Sequence, residues 1–404
     1  MKIVLLSTSD ISGGAAIAAS RMAVALRNQG HEVNQLVVFK KSNDPFVEAI
    51  GGESWFSERL RDAQYLFTQK CLVKAGYQLS FNPWKGHDVS KHPLVVSADV
   101  IQLHWINHGF MGMRELRALF ALKKPVFWHM HDYWAFTGGC HYPGTCRKFE
   151  TGCGLCPAMI QPGSADATAL QLEAKKELYL LNKPTLVGAS LWLTNEAKAS
   201  ALAQFAHITH VPNPIDRSFY ALRGPEDLRK QHGIGKDVKV ILFAAMNTAD
   251  PRKGFRELVE ALTYLNQKTA LNIRLLVAGK VALPTQLPYV ATFLGTLNAE
   301  QMRSAYQAAD LFVIPSLEEN LPNTILESLA SGTPVVGFKA GGIPEMVLEG
   351  KSGYLANTGN ALELGFAIEK ALNNKWSGNF EEILSRFSHN AVGAIYNELM
   401  TKNH

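Results

Sequence analysis

The sequence predicts an α/β protein made of two doubly wound parallel sheets. Three observations carry that expectation. Short apolar runs rich in β-branched residues alternate with helix-period stretches. The alternation stops and restarts near Asn213. The chain has 404 residues, 47% hydrophobic and 19% charged, enough for two or three domains with a full core in each.

In chain order, KIVLLS is a first strand, Ala15 to Asn28 has helical period, and HEVNQLVVF is the next strand. ADVIQLHW, KPVFWHM, PTLVGAS and HITHVP follow as strands. Residues 55–75, an aromatic and basic mixture, read as an amphipathic helix, either core-facing or lying on a membrane surface. After Asn213 come VKVILFAA, IRLLVAG, ATFLG, DLFVIPS and PVVGF, again mostly with helices between. Continuous apolar strands of this kind are buried on both faces. The break falls at VPNPID, where two prolines flank Asn213 and stiffen the connector. The expected division is residues 1–210, containing a four-cysteine loop at 138–157, then 211–385, then a helix at 386–404 returning to the first domain. Two such domains facing each other would make a cleft, with ligands bound beyond the carboxyl ends of strands.

Several classes are excluded. No stretch approaches the ~20 apolar residues of a membrane span. The apolar run Ile3 to Leu6 is shorter than the ~7–15 residues of a signal-peptide core, so a cytoplasmic protein is expected. A net charge of +5 suits phosphate-bearing substrates or an anionic membrane face. Nucleic acid is not expected, because the Lys and Arg are dispersed.

Ser12-Gly13-Gly14-Ala15-Ala16 follows the first strand and opens a helix, which suits either an anion at the helix start or a tight turn without ligand. Gly350-Lys351-Ser352 is not a P-loop, since Glu345 stands where the second glycine is required. No Asp-x-Asp occurs, so a metal site built on that motif is not expected. Arg252 and Lys253, in a loop between strand and helix, suit a diphosphate or a solvated turn. Glu319 and Glu327 are separated by seven residues. Glu327 lies in apolar ILESLA, where a buried carboxylate needs hydrogen-bond donors such as sugar hydroxyls.

Glu-x7-Glu, the upstream Arg-Lys-Gly, the Gly-Gly loop and Pro-Asn-Pro-Ile-Asp together resemble family 4 glycosyltransferases, retaining enzymes of the GT-B fold. ENLPNTILE and HDYWAFTGGC resemble a branch serving bacterial capsule, exopolysaccharide and lipopolysaccharide assembly. The resemblance implies that Lys253, with Arg252 as the weaker candidate, holds the donor diphosphate. It implies that Glu327 binds the ribose, that Glu319 faces the donor sugar beside Asn320 and Leu321, and that Gly13 and Gly14 approach the phosphate. Asn247 stands near where many members carry a second phosphate-binding arginine. Pro322 replaces a common glycine and has no N–H to offer the sugar. The functional histidine at the strand end PVFWHM is His131 or, on the same strand face, His129. His131 and Glu319 would orient and stabilise the transition state.

The implied reaction moves a sugar from a UDP- or GDP-sugar to a glycan acceptor, lipid-linked in this branch, at the inner membrane face and without a catalytic metal. A zinc-containing binding module and a GT-B epimerase are the alternatives. Cys140, Cys146, Cys153 and Cys156 have the spacing C-x5-C-x6-C-x2-C with glycines beside them. Four thiolates fit a closed structural Zn2+ site, with reduced thiols or disulfides as the other readings.

Overall fold

In a computed structural model, which describes residues 1–51, 55–83, 86–220, 228–281 and 286–402, the chain divides into two units. Unit 1 comprises Met1–Pro214 and His389–His404, and unit 2 comprises Ile215–Ser388.

Unit 1 is built on seven parallel strands: β1 (Lys2–Ser9), β2 (Glu32–Phe39), β3 (Val47–Ala49), β4 (Val100–Leu103), β5 (Val126–Met130), β6 (Thr185–Gly188) and β7 (His207–His210). Their order is β3-β2-β1-β4-β5-β6-β7, so the winding reverses between β1 and β4. Successive side chains of a strand point to opposite faces. Ile3 and Leu5 accordingly join one core cluster, and Val4 and Leu6 join the other. The helix His389–Lys402 supplies Val392, Tyr396 and Met400 to the first of these clusters. It lies so close to the helix Gly14–Arg27 that a Cβ on Gly393 would come within 2.6 Å of the Ala25 carbonyl oxygen.

Unit 2 has six parallel strands: β8 (Lys239–Asn247), β9 (Ile273–Lys280), β10 (Val290–Gly295), β11 (Leu311–Ile314), β12 (Val335–Phe338) and β13 (Gly353–Ala356). The order β10-β9-β8-β11-β12-β13 reverses between β8 and β11. Both sheets have the doubly wound form in which ligands sit beyond the strand ends at the reversal.

The sequence pattern leaves out β3 and β13. Both are short edge strands, and only one of the three β3 residues is buried. The helix expected over 55–75 is shorter: it spans Trp55–Phe67 and ends in a π-turn at Thr68–Leu72. Among the described residues no helix is long and apolar enough to cross a membrane.

Candidate functional site

In unit 2 the loops after β8 and β11 meet at the reversal of the sheet. The Asn247 side chain accepts the Ala249 N–H at 3.0 Å and turns the chain out of β8. Asp250 Oδ1 accepts the Arg252 N–H at 3.0 Å and caps the turn Pro251–Lys253. Gly254 closes that turn at φ 67°, and a Cβ there would sit 1.7 Å from the Pro315 carbonyl oxygen. Only glycine lets the two loops come this close. The Leu317 N–H then donates to the Arg252 carbonyl at 2.8 Å.

This joint brings Lys253 Nζ to 2.5 Å from Glu319 Oε2, with both side chains largely buried. The Arg252 guanidinium turns instead to Asp250 Oδ2 at 2.7 Å. The Gly342 N–H donates to the Glu319 carbonyl at 3.2 Å, which ties in the AGG loop after β12. Asn320 and Leu321 are buried beside Glu319, and Pro322 immediately precedes the helix Asn323–Ala330. Glu327, on that helix, is buried and accepts the Tyr306 hydroxyl at 3.3 Å. Tyr306 is a donor that the sequence pattern does not reveal, because the two residues lie 21 positions apart on different helices.

In unit 1, Gly13 has φ 92° and precedes the helix Gly14–Arg27. No side-chain cap occupies the helix start, and nothing lies within 4 Å of where a Gly13 Cβ would be. Gly13 therefore leaves room beside the helix start.

The two histidines of β5 and its end separate cleanly. His129 has no exposed surface, and its Nε2 lies 3.0 Å from Asn213 Oδ1. His131 is partly exposed, and its Nε2 lies 3.0 Å from His104 Nδ1. The three rings form a triangle: His104 lies 5.3 Å from each of the others, and those two lie 5.2 Å apart. Burial pushes His129 down to about 3. It pushes His131 down to about 4 despite the neighbouring Asp132, and holds His104 well below the usual imidazole range. All three are neutral at physiological pH, so His131 can orient a hydroxyl but carries no charge. A cavity of about 10 Å3, the size of one water, is lined by His104, Trp105, Asn107, His131, Asp132 and Trp134. His104 went unrecognised in QLHW, although its place just after β4, at the sheet reversal, was the available signal.

The four loop cysteines and Cys71 are all free. Cys140, Cys153 and Cys156 are raised chiefly by burial, and Cys140 also by the other three cysteines. The Gly138 N–H donates to Cys153 Sγ at 3.3 Å. Gly139, Gly144, Gly152 and Gly154 all adopt positive φ, as tight turns around the sulfurs require. Lys175, fully buried, donates to the carbonyls of Trp134 and Thr137 and lies 3.7 Å over the Trp134 ring. Among the described residues, these cysteines included, no group of three or more His, Cys, Asp or Glu side chains is arranged to hold a metal ion.

Comparison with known proteins starts from unit 2. Residues 225–392 match the family Glycosyl transferases group 1. The group 1 segment therefore contains Lys253, Glu319 and Glu327. The chain is 29% identical over 240 residues to a lipopolysaccharide 1,2-N-acetylglucosaminetransferase of Salmonella typhimurium, covering 51% of this chain and 62% of that one. It is 27% identical over 331 residues to an uncharacterized glycosyltransferase of Methanocaldococcus jannaschii, covering 75% and 82%. A 73-residue stretch is 45% identical to a sulfoquinovosyl transferase of Arabidopsis thaliana, of which this chain spans only 14%. Thus it spans less than two thirds of the Arabidopsis and Salmonella relatives. Among solved structures, Anabaena HepE in complex with UDP superposes over both whole chains with a TM-score of 0.64 at 18% identity. Sucrose-phosphate synthase from Thermosynechococcus elongatus gives 0.60 at 16%, covering 99% and 98%. The fold is GT-B, with group 1 sequence in its second half.

Proposed function

We propose that the protein is a retaining glycosyltransferase that moves a sugar from a UDP- or GDP-sugar to a hydroxyl of a lipid-linked glycan in bacterial surface polysaccharide synthesis. The observation that carries the reading is the Lys253–Glu319 pair at the β8/β11 reversal of the group 1 segment. An arriving diphosphate competes with Glu319 for the Lys253 ammonium. Lys253 then balances the charge that grows on the leaving diphosphate, and the released Glu319 carboxylate accepts from sugar hydroxyls. Glu327 receives the ribose hydroxyls, its carboxylate steadied by Tyr306. His131, neutral and held by His104, orients the acceptor hydroxyl. Gly13 and Gly14 let the backbone of the first helix start approach the phosphate. The ligands bound to Anabaena HepE, UDP and UDP-glucose, support the donor class.

Two further parts rest on separate supports. Tyr65, Leu66 and Phe67 are exposed close to Lys70 and Lys74, which suits an anionic membrane face; flotation should recover more protein with anionic than with neutral vesicles. The glycine turns beside the four cysteines support zinc in that loop. Elemental analysis then finds about one zinc per chain.

Glu327→Gln tests the donor assignment. Nucleotide affinity and transfer should both fall while melting is kept. Unchanged affinity for the donor nucleotide would remove Glu327 from the site.

A further inference from the structure

Three other side chains of unit 1 form a hydrogen-bonded line. Ser80 Oγ lies 2.7 Å from His141 Nε2, and His141 Nδ1 lies 2.6 Å from Asp132 Oδ2. The residues come from three places: the loop before Phe81, the turn after β5, and the cysteine loop. Asp132 Oδ1 also accepts the Trp134 N–H at 2.8 Å. Burial raises the Asp132 carboxyl, but His141 and the hydrogen bonds from His141 and Trp134 outweigh it and hold the group below its ordinary value. An ionised carboxylate only accepts, so the His141 proton sits on Nδ1. In that tautomer Nε2 is an acceptor, and the Ser80 hydroxyl donates to it.

The serine is also fixed by its backbone. Its N–H donates to the Gly139 carbonyl at 2.9 Å. Its carbonyl accepts from Trp134 Nε1 and from Gln171 Nε2, each at 2.8 Å. Ser80 is partly exposed, while the His141 and Asp132 side chains are each only 12% exposed. A hydroxyl on a locked backbone, a buried imidazole behind it and a carboxylate behind that constitute a nucleophile, a base and an orienting group, recognised by geometry rather than by order in the chain.

We propose that Ser80, His141 and Asp132 form a nucleophilic relay that hydrolyses small acyl esters, a second activity whose Asp132 also lines the cavity beside His131. His141 Nε2 takes the Ser80 proton as Oγ bonds to the acyl carbon. The bond from carbon to the alcohol oxygen breaks, and the alcohol leaves with that proton. Water, deprotonated by the same nitrogen, attacks the acyl-serine, releases the carboxylic acid and restores the serine. The net reaction is ester plus water to acid plus alcohol, with no redox change.

A fluorophosphonate probe on the full chain tests this directly. Ser80 Oγ bonds to phosphorus, fluoride leaves, and the added mass maps to the peptide containing Ser80. Ser80→Ala abolishes the adduct. Asp132→Asn permits the wrong His141 tautomer and slows labelling by about 10^4-fold. His141→Gln removes the base and decides the matter if Asp132→Asn melts early. The proposal is overturned if the folded wild type gives no adduct, if the adduct survives Ser80→Ala, or if a folded relay variant labels at the wild-type rate. The readout is a covalent mass, so its failure leaves the transfer reading intact, and loss of sugar transfer leaves this one intact.

Discussion

Units 1 and 2 share one architecture and set different polar groups beside the sheet reversal. In unit 2 the loops after β8 and β11 carry full charges, Lys253 against Glu319 and Arg252 against Asp250. In unit 1 the loop after β4, at the reversal, carries His104, and His131 stands at the end of the next strand, β5; the two rings are stacked and kept neutral by burial. An ion pair can be opened by a ligand that replaces one partner, whereas neutral imidazoles offer a hydroxyl only direction. The difference matches a division between an anionic donor and an uncharged acceptor, and it can be broken experimentally from either side.

The largest expected effect lies in the charged pair. Lys253→Ala should reduce transfer by roughly 10^2–10^3-fold, the scale for losing one preorganised electrostatic contact. Donor affinity should fall with it. Transfer within a few-fold of wild type would move the diphosphate site elsewhere. Next comes the joint that creates the pair. Gly254→Ala adds a Cβ that collides with the Pro315 carbonyl, at a φ that favours glycine. It should destabilise unit 2 by about 3 kcal/mol, the upper range for single substitutions. A melting temperature equal to wild type would show that the loops separate at little cost.

The neutral side of the comparison predicts a pH response. His129 and His131 have folded values of about 3 and about 4, below the ordinary 6.5. Their surroundings include His104, His210 and Asp132, with Asn213 bonded to His129. Below 6.5 the unfolded chain takes up protons that the folded chain does not. Stability contributed by neutral burial is therefore complete above 6.5 and is lost as pH falls towards the folded values. Six of the seven tryptophans lie in residues 1–214, and only Trp376 lies in unit 2. Tryptophan fluorescence thus reports mainly unit 1. Its denaturation midpoint should fall between about pH 7 and 5, and a flat midpoint would sink the buried-neutral account.

Much of this was legible in the sequence because strand runs such as VILFAA and LFVIPS are continuous and apolar, the pattern of strands covered on both faces. The adjacency of Lys253 and Glu319 was not legible, since it depends on Gly254 permitting a loop contact between residues 66 positions apart. Tyr306 and His104 were missed for a similar reason. Each sits in an ordinary local pattern and becomes a partner only when separate elements pack. The cysteine loop shows the converse. Its glycine turns could be read from spacing, but spacing did not assemble a ligand set.

The smallest expected effect sharpens the choice between the two adjacent cations. Sequence alone left Arg252 and Lys253 side by side as diphosphate candidates. The structure pairs the Arg252 guanidinium with Asp250, which also accepts the Arg252 N–H, so this arginine braces its own turn. Removing it breaks a partly exposed pair, a loss of about 0–1 kcal/mol. Arg252→Ala should therefore weaken donor binding by less than about fivefold, far less than Lys253→Ala. Asp250→Ala should cost more stability than Arg252→Ala, because it also removes the cap of the Pro251–Lys253 turn. Donor titrations and melting curves on the three variants decide it. If Arg252→Ala weakens donor binding as severely as Lys253→Ala, the guanidinium leaves Asp250 for the phosphate and the diphosphate has two cations instead of one.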